Sequence, residues 1–160
     1  MTLSQPRLRD LIEASSEGAG RLFRENGYVR PLWHAIKSDG VPLIVRSPPG
    51  DKDFAVTMVR ALFEIEEVIR YVFFDEAWMV VEKRADNIPD IETKGIVDHP
   101  NRVECIYFNG EDLQEGWLCA RRLIVRDRAG KGRLQSLEFY ADFDNATGRL
   151  LGLLPRGTKQ

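Results

Sequence analysis

The sequence predicts an α+β fold, in which an antiparallel sheet of about five or six strands packs against two main helices on one of its faces. Near the C-terminus, residues 102–109, 116–126 and 133–141 alternate like strands. Short polar segments that contain glycine separate these runs, which is typical of an antiparallel meander. Residues 8–23 and 54–69 place apolar side chains at helical spacing and predict the two helices.

The first helix is predicted to begin after Ser4, a favourable cap, and to end at Gly27. Gly18 and Gly20 weaken its middle, because glycine is a poor helix former. Residues 29–37 and 41–45 then flank an Asp-Gly turn and predict a hairpin. Pro42 cannot donate a ladder hydrogen bond, which favours an edge position.

The second helix is predicted from Phe54, Met58, Leu62, Ile65 and Ile69, which repeat every three or four residues after a capping Asp51 or Asp53. The segment that follows, 68–81, is apolar on both faces and predicts a central strand. Within that strand, we expect Tyr71 and Trp78 to belong to the core, and Asp75 and Glu76 interrupt the apolar pattern.

Length and composition favour a single domain over residues 1–160, with a long loop at 83–101 and an apolar tail at 149–155. The net charge of −2 at pH 7 gives no overall attraction to nucleic acid or to an anionic membrane. The N-terminus lacks a signal-peptide layout, and no apolar run reaches the roughly 20 residues that span a bilayer. A cytoplasmic protein that does not enter a membrane is therefore expected.

No metal or cofactor is predicted, since two cysteines cannot make a zinc site alone and the chain has only two histidines to help them. Cys105 and Cys119 are symmetric about Asp112, so they are expected to face each other across two strands. The sequence favours two buried thiols in a reducing compartment and leaves open whether they pair.

Candidate catalytic residues lie where the long loop meets the meander: Glu76, His99, Arg102 and Glu104. A carboxylate such as Glu76 inside an apolar strand must be paired, exposed or perturbed. If Glu76 meets Arg102 or His99, the group is either a structural salt bridge, which the sequence favours, or the polar floor of a cleft.

The pattern Glu76-Ala77-Trp78, a loop, and then His99-Pro100-x-Arg102-x-Glu104 resembles small bacterial and phage-associated proteins of unknown function. The resemblance covers about a third of the chain, and it implies no activity. Residues 89–94 also contain the Asp, Glu and Lys of a restriction-type nuclease site. Because all three lie together in one charged loop, a solvated loop is the favoured interpretation.

The hairpin at 121–133 concentrates positive charge in a chain that is otherwise slightly acidic. Its candidate anion-binding residues are Arg121, Arg126, Arg128, Lys131 and Arg133, with Arg122 beside them. Strand alternation sends Arg121 and Arg122 to opposite faces, and the hairpin has no interleaved aromatics for base stacking. A solvated hairpin or a protein interface is therefore favoured over a nucleic-acid site.

The function predicted first is a non-catalytic binding or interaction module that self-associates, most simply as a homodimer, and that can also have a protein partner. The apolar tail motivates the homodimer, because it would otherwise expose a patch. Two alternatives stay open: a small hydrolase- or lyase-like enzyme that uses Glu76, His99 and Arg102, and a nucleic-acid-binding accessory protein that uses the basic hairpin.

Overall fold

The computed structural model describes residues 7–48, 50–79, 102–139 and 152–154. These residues form two helices and seven strands: α1 (Leu8–Asn26), β1 (Leu32–Lys37), β2 (Pro42–Arg46), α2 (Lys52–Ile65), β3 (Val68–Met79), β4 (Val103–Asp112), β5 (Gly116–Arg126), β6 (Gly132–Leu134) and β7 (Glu138–Phe139). The strands make one antiparallel sheet in the order β2-β1-β3-β4-β5-β6, and β7 also pairs with β5. The α+β prediction is confirmed, and the last predicted strand is divided into β6 and β7.

The two helices cover opposite faces of the sheet, so their predicted placement on one face is wrong. On the α1 face, Val72 and Phe74 of β3 pack in one core cluster with residues of α1. On the α2 face, Tyr71 and Phe73 pack with residues of α2. Because successive side chains of a strand point to opposite sides, an apolar β3 needs cover on both faces.

The ends of α1 are fixed by polar contacts that bridge to other elements. At its start, the Leu8 backbone N–H donates to the Glu115 carboxylate over 2.8 Å, and the Arg7 N–H donates to Asp10 over 3.0 Å. Gly27 ends the helix in the left-handed region at φ 79°, as predicted. Ser4, the predicted cap, lies outside the described residues.

The hairpin of β1 and β2 forms as predicted, and β2 is an edge strand of the described sheet. Pro42 is the first residue of β2, a position that tolerates its missing N–H. The next element, α2, begins at Asp51, whose carboxylate accepts the Asp53 N–H over 2.8 Å. Asp51 is therefore the cap.

The face of α2 that is buried differs from the face that the sequence predicts. Phe54, Met58 and Ile65, which define the helical pattern, are 58%, 52% and 75% exposed. A neighbouring side of the helix packs against the sheet instead, and it consists of Ala55, Val56, Val59 and Phe63. We call the exposed residues Phe54, Met58 and Ile65 the α2 stripe. Helical periodicity identifies an apolar side of a helix, but α2 has two apolar sides next to each other, and only one of them packs against the sheet.

The segment 109–112, predicted as a turn, is the last part of β4, and the turn follows at 113–115. Gly110 is needed here for space. A Cβ at this position would lie 2.8 Å from Leu8 Cδ1 and 3.1 Å from Ile12 Cδ1. The glycine lets α1 approach the sheet closely, so position 110 requires glycine for packing and not for a turn.

The central strand β3 runs without interruption through Asp75 and Glu76. Tyr71 is fully buried, as predicted, whereas Trp78 is 47% exposed, so its predicted place in the core is wrong. The chain that leaves α1 meets β3 at Glu76, whose carboxylate accepts the Val29 N–H over 2.8 Å. Trp78 lies beyond this crossing and is no longer covered by α1.

Leu153 and Leu154 of the apolar tail are buried in the core cluster of the α2 face. The Leu154 N–H donates to the buried carboxylate of Glu111 over 3.2 Å. This part of the tail therefore folds back onto its own sheet, which removes Leu153 and Leu154 as a reason for self-association. The rest of the tail lies outside the described residues, as does the predicted loop at 83–101.

Cys105 and Cys119 are free and buried. The register places Cys105 opposite Leu123 and Cys119 opposite Asn109, so the two thiols do not face each other as predicted. The turn centre lies two residues further along than their symmetry suggests, because β4 extends through Asp112. Among the described residues, no helix has the length and apolar character that crossing a membrane requires.

Candidate anion-binding groove

A groove of about 880 Å³ runs between the C-terminal half of α1 and the β5–β6 hairpin. We call it the basic groove, because five cationic side chains line it: Arg24, Arg122, Arg126, Lys131 and Arg133. Asp127, glycines and apolar residues provide the rest of its surface. The helix contributes one cation and the hairpin four, so the site exists only in the folded chain.

The hairpin presents its cations because Asp127 organises the turn. Its carboxylate accepts the Ala129 and Lys131 backbone N–H groups, each over 2.9 Å. The Asp127 N–H in turn donates to the Lys131 carbonyl over 3.0 Å. Asp127 is the acidic residue of the groove lining, and its side chain is directed to backbone donors and not to the cations.

Arg122 is held against α1 by two carbonyl groups. Its Nε donates to Gln135 O over 2.8 Å and its Nη1 donates to Ser16 O over 3.2 Å. A Cβ on Gly20 would lie 2.8 Å from the same Nη1, so an alanine there would require the guanidinium of Arg122 to shift. Burial, together with the charge of Arg24, lowers the pKa of Arg122.

Arg24 brings a second guanidinium to the same point. A Cβ built on Gly20 would be 3.6 Å from the Nη1 of Arg24 and 2.8 Å from the Nη1 of Arg122, so both guanidinium groups lie close to this glycine. Among the described residues, no carboxylate forms an ion pair with either arginine. Two like charges that converge without a counter-charge repel each other, and a bound anion removes that repulsion.

Arg126 occupies the other side of the groove. Its guanidinium meets the Glu104 carboxylate in a two-pronged contact of 2.8 Å and 2.5 Å, and its Nη1 donates to Gly130 O over 3.1 Å. Glu104, a predicted catalytic candidate, is thus the ion-pair partner that orients Arg126.

Three of the predicted anion-binding residues, Arg126, Lys131 and Arg133, line the groove, and two do not. Arg121 lies on the α2 face and donates to Glu138 over 2.6 Å. Arg128 lies in the turn, outside the lining.

No pattern in the sequence indicated Arg24, which is about a hundred residues from the hairpin along the chain. Gly20, four residues earlier in the same helix, is the one signal that pointed to this place.

The predicted group of Glu76, His99 and Arg102 is not assembled by the described residues. Glu76 binds the Val29 N–H, and the Arg102 guanidinium lies 4.5 Å from the centre of the Trp78 ring. His99 lies outside the described residues, and so does the nuclease-like segment 89–94. The recorded partner of Glu76 is thus a backbone donor and not Arg102, and the roles predicted for these residues stay predictions.

A second cavity, of about 490 Å³, lies between α1 and the first strands. In its wall, Ser15 Oγ is 3.1 Å from His34 Nδ1, and burial lowers the pKa of His34. Ser15 is 3% exposed, so this contact is a hydrogen bond between helix and sheet. Within the part of the chain that the structure describes, no cluster of three or more His, Cys, Asp or Glu residues is suited to a metal.

Comparisons with known proteins do not extend this description. No protein-family model matches the chain, and neither the curated proteins nor the solved structures include a match.

Proposed function

We propose that the protein is a cytoplasmic, non-catalytic binding module that takes a phosphate-bearing anion in the basic groove. The observation that supports this most directly is the convergence of Arg24 and Arg122 above Gly20. Guanidinium groups match the oxygens of a phosphate with two parallel hydrogen bonds. An anion between them would be attracted by both charges in a partly desolvated place, where such attraction is strong.

The alternative is a solvated basic surface without a ligand, and the placement of Arg122 argues against it. A glycine inside a helix costs about 1 kcal/mol relative to alanine. A freely solvated arginine would need no such glycine, because its side chain has many other positions. Here Gly20 leaves the space in which Arg122 reaches Ser16 O. The carbonyl oxygens of Ser16 and Gln135 therefore hold this guanidinium in one orientation.

We also propose that the protein self-associates, as predicted from the sequence. The reason is now the exposed α2 stripe and not the apolar tail. The α2 stripe (Phe54, Met58 and Ile65) is exposed on the side of the molecule away from α1. A second copy that covers the stripe would leave the basic groove open, because the two lie on opposite faces of the sheet. The candidate enzyme residues Glu76 and Arg102 each have another partner and give no comparable support to catalysis.

The test is the binding of inorganic tripolyphosphate, measured by calorimetry at low salt, with two matched pairs of variants. The first pair is Gly20→Ala and Gly18→Ala. A Cβ at Gly18 would meet only Arg21 Nη2, at 4.0 Å. Gly20→Ala should displace Arg122 and weaken binding about tenfold, the value of one charge-assisted hydrogen bond. Gly18→Ala should leave binding unchanged and stabilise the helix by up to about 1 kcal/mol.

The second pair is Arg24→Ala and Arg128→Ala, which remove one positive charge each. Arg24 lines the groove and Arg128 does not. Arg24→Ala should weaken tripolyphosphate binding and Arg128→Ala should not. Equal losses would mean that the charge attracts anions without a site, and an absence of binding to the unaltered protein would refute the proposal.

A further inference from the structure

Two exposed aromatic side chains, Trp78 and Tyr28, lie outside the lining of the basic groove but are linked to it by neighbouring residues. Trp78 on β3 is 47% exposed, and its register partner on β4 is Glu104. Glu104 is the residue that pairs with Arg126 in the groove lining. The Glu104 side chain therefore lies between the indole and the groove. The strand that carries Trp78, β3, is two interstrand spacings from β5, or about 10 Å.

Tyr28 is the second aromatic and is 46% exposed. It directly follows Gly27, which lines the groove, and it precedes Val29, which is bound to Glu76 of β3. Glu76 is two residues before Trp78 on the same face of the sheet. Tyr28 and Trp78 are thus each within two residues of the contact between Val29 and Glu76, although 50 residues separate them in the sequence.

Each ring also has an arginine over one of its faces, which leaves the opposite face as the one on which a base can stack. The Arg102 guanidinium is 4.5 Å from the centre of the Trp78 ring, and that of Arg30 is 5.7 Å from the centre of the Tyr28 ring. These cations increase the positive charge around the aromatics and continue the charge of the groove beyond its edge. The surface therefore combines a row of cations with flat apolar rings.

Among anions that contain phosphate, this combination selects for one class. Single-stranded nucleic acid offers a phosphate backbone for cations and unpaired bases that stack on aromatic rings. Duplex DNA hides its base faces, and a phosphopeptide presents one phosphate, which would leave most of the five cations without a function. The hairpin lacks aromatics in its own sequence, but β3 and the segment after α1 supply them.

We infer that the basic groove binds the phosphate backbone of a single nucleic-acid strand, and that Trp78, together with Tyr28, stacks the bases that leave the groove. This inference rests on the proposed function, because it requires that the groove binds phosphate. It adds the class of the ligand and a second part of the binding surface.

The experiment measures fluorescence anisotropy with two labelled strands of about eight residues, a length within the range of single-strand binding sites. One is oligothymidylate, and the other is an abasic deoxyribose-phosphate strand with the same charge and no bases. The protein should bind oligothymidylate about tenfold more tightly, since each stacked base adds measurable affinity. Trp78→Ala should lower oligothymidylate binding to the abasic level, and Trp78→Phe should retain part of the difference.

Phe54→Ala is the matched control, because Phe54 is an exposed aromatic of the α2 stripe on the opposite face. It should change neither affinity. Arg24→Ala should weaken both strands equally and reduce the slope of log affinity against log salt by about 0.7, the value for one lost phosphate contact on a single strand. A urea midpoint for Trp78→Ala close to that of the unaltered protein verifies that the variant is folded.

Three results would overturn the inference. Equal affinity for the two strands, unaffected by Trp78→Ala, would show that no base is stacked. A phosphopeptide that binds more tightly than oligothymidylate would show that the ligand is of another class. Binding of tripolyphosphate without binding of either strand would also show that the ligand is not a single nucleic-acid strand. In each of these cases phosphate binding by the groove, and with it the proposed function, would still stand.

Discussion

Asp75 lies in the middle of β3 on the α2 face, opposite Tyr107 in the register of β3 and β4. Burial raises the pKa of its carboxyl to about 6, and the Glu76 N–H and the charge of Lys52 oppose that rise. The usual pKa of an aspartate is about 3.9. The folded protein therefore binds a proton at this residue more readily than the unfolded chain does.

The sign of the resulting pH dependence follows from linkage. A raised folded-state pKa contributes stability that is complete below about pH 3.9 and is lost as the pH rises through about 6. Asp75→Asn removes the titrating group, so this variant should be more stable than the unaltered protein at pH 7.5 and gain little at pH 4. Urea midpoints at the two pH values check this. A gain that is the same at both would mean that the charge of Asp75 is not the cause.

Tyr71 and Trp78 show how far a residue can be assigned from the sequence. Both belong to an apolar run, and the pattern of β3 alone places both in the core. Whether a side chain at the end of a strand is covered depends on where the helix above it stops. That position is set by Gly27 and by the contact between Val29 and Glu76, which no local pattern contains. The exposure of Trp78, and with it the stacking surface, required the structure.

At the scale of elements, the contact between α1 and β4 is sensitive to a single methyl group. A Cβ on Gly110 would approach Leu8 Cδ1 to 2.8 Å and the Leu118 carbonyl oxygen to 3.2 Å. Gly110→Ala should therefore destabilise the protein by about 1–3 kcal/mol, as overpacking of a filled core does. Chemical denaturation measures the loss.

A double-mutant cycle identifies the cause of that loss. Leu8→Ala removes the side chain that the new methyl group would meet and should itself cost about 2–5 kcal/mol. If Gly110 is required for close packing, the double variant should be more stable than the sum of the two losses predicts. Strict additivity would mean that backbone effects at Gly110 dominate.

The elements themselves were largely predictable, and the faces that they bury were not. Local signals such as the turn at Ser38–Gly40, the cap at Asp51 and the stop at Gly27 located α1, α2 and the first hairpin. The second helix shows the limit, since its apolar residues extend beyond the side that contacts the sheet. In the same way, the charged hairpin was visible in the sequence, but the helix that completes the groove with Arg24 was not.

For the whole molecule, the α2 stripe supports the predicted homodimer. Light scattering coupled to size exclusion should give twice the mass of one chain at high micromolar concentration, because closed two-fold dimers are the commonest oligomer. The triple variant Phe54→Ser, Met58→Ser and Ile65→Ser should be monomeric. Leu113→Ser, at an apolar residue that is 48% exposed in the turn after β4, is the control and should not change the mass. A single-chain mass for the unaltered protein would contradict the prediction.

The pairing of β3 with β4 also has a use in protein engineering. Met79 and Val103 are register partners, so the ends of the segment that joins the two strands are fixed one interstrand spacing apart, about 5 Å. Doubling the length of a flexible connection adds only about 0.6 kcal/mol to the cost of closing it. A reporter domain whose own termini are adjacent can therefore be inserted between these strands with the sheet register as its anchor. The inserted reporter would be located next to Trp78, where a change in the emission of the reporter would indicate that a ligand has bound.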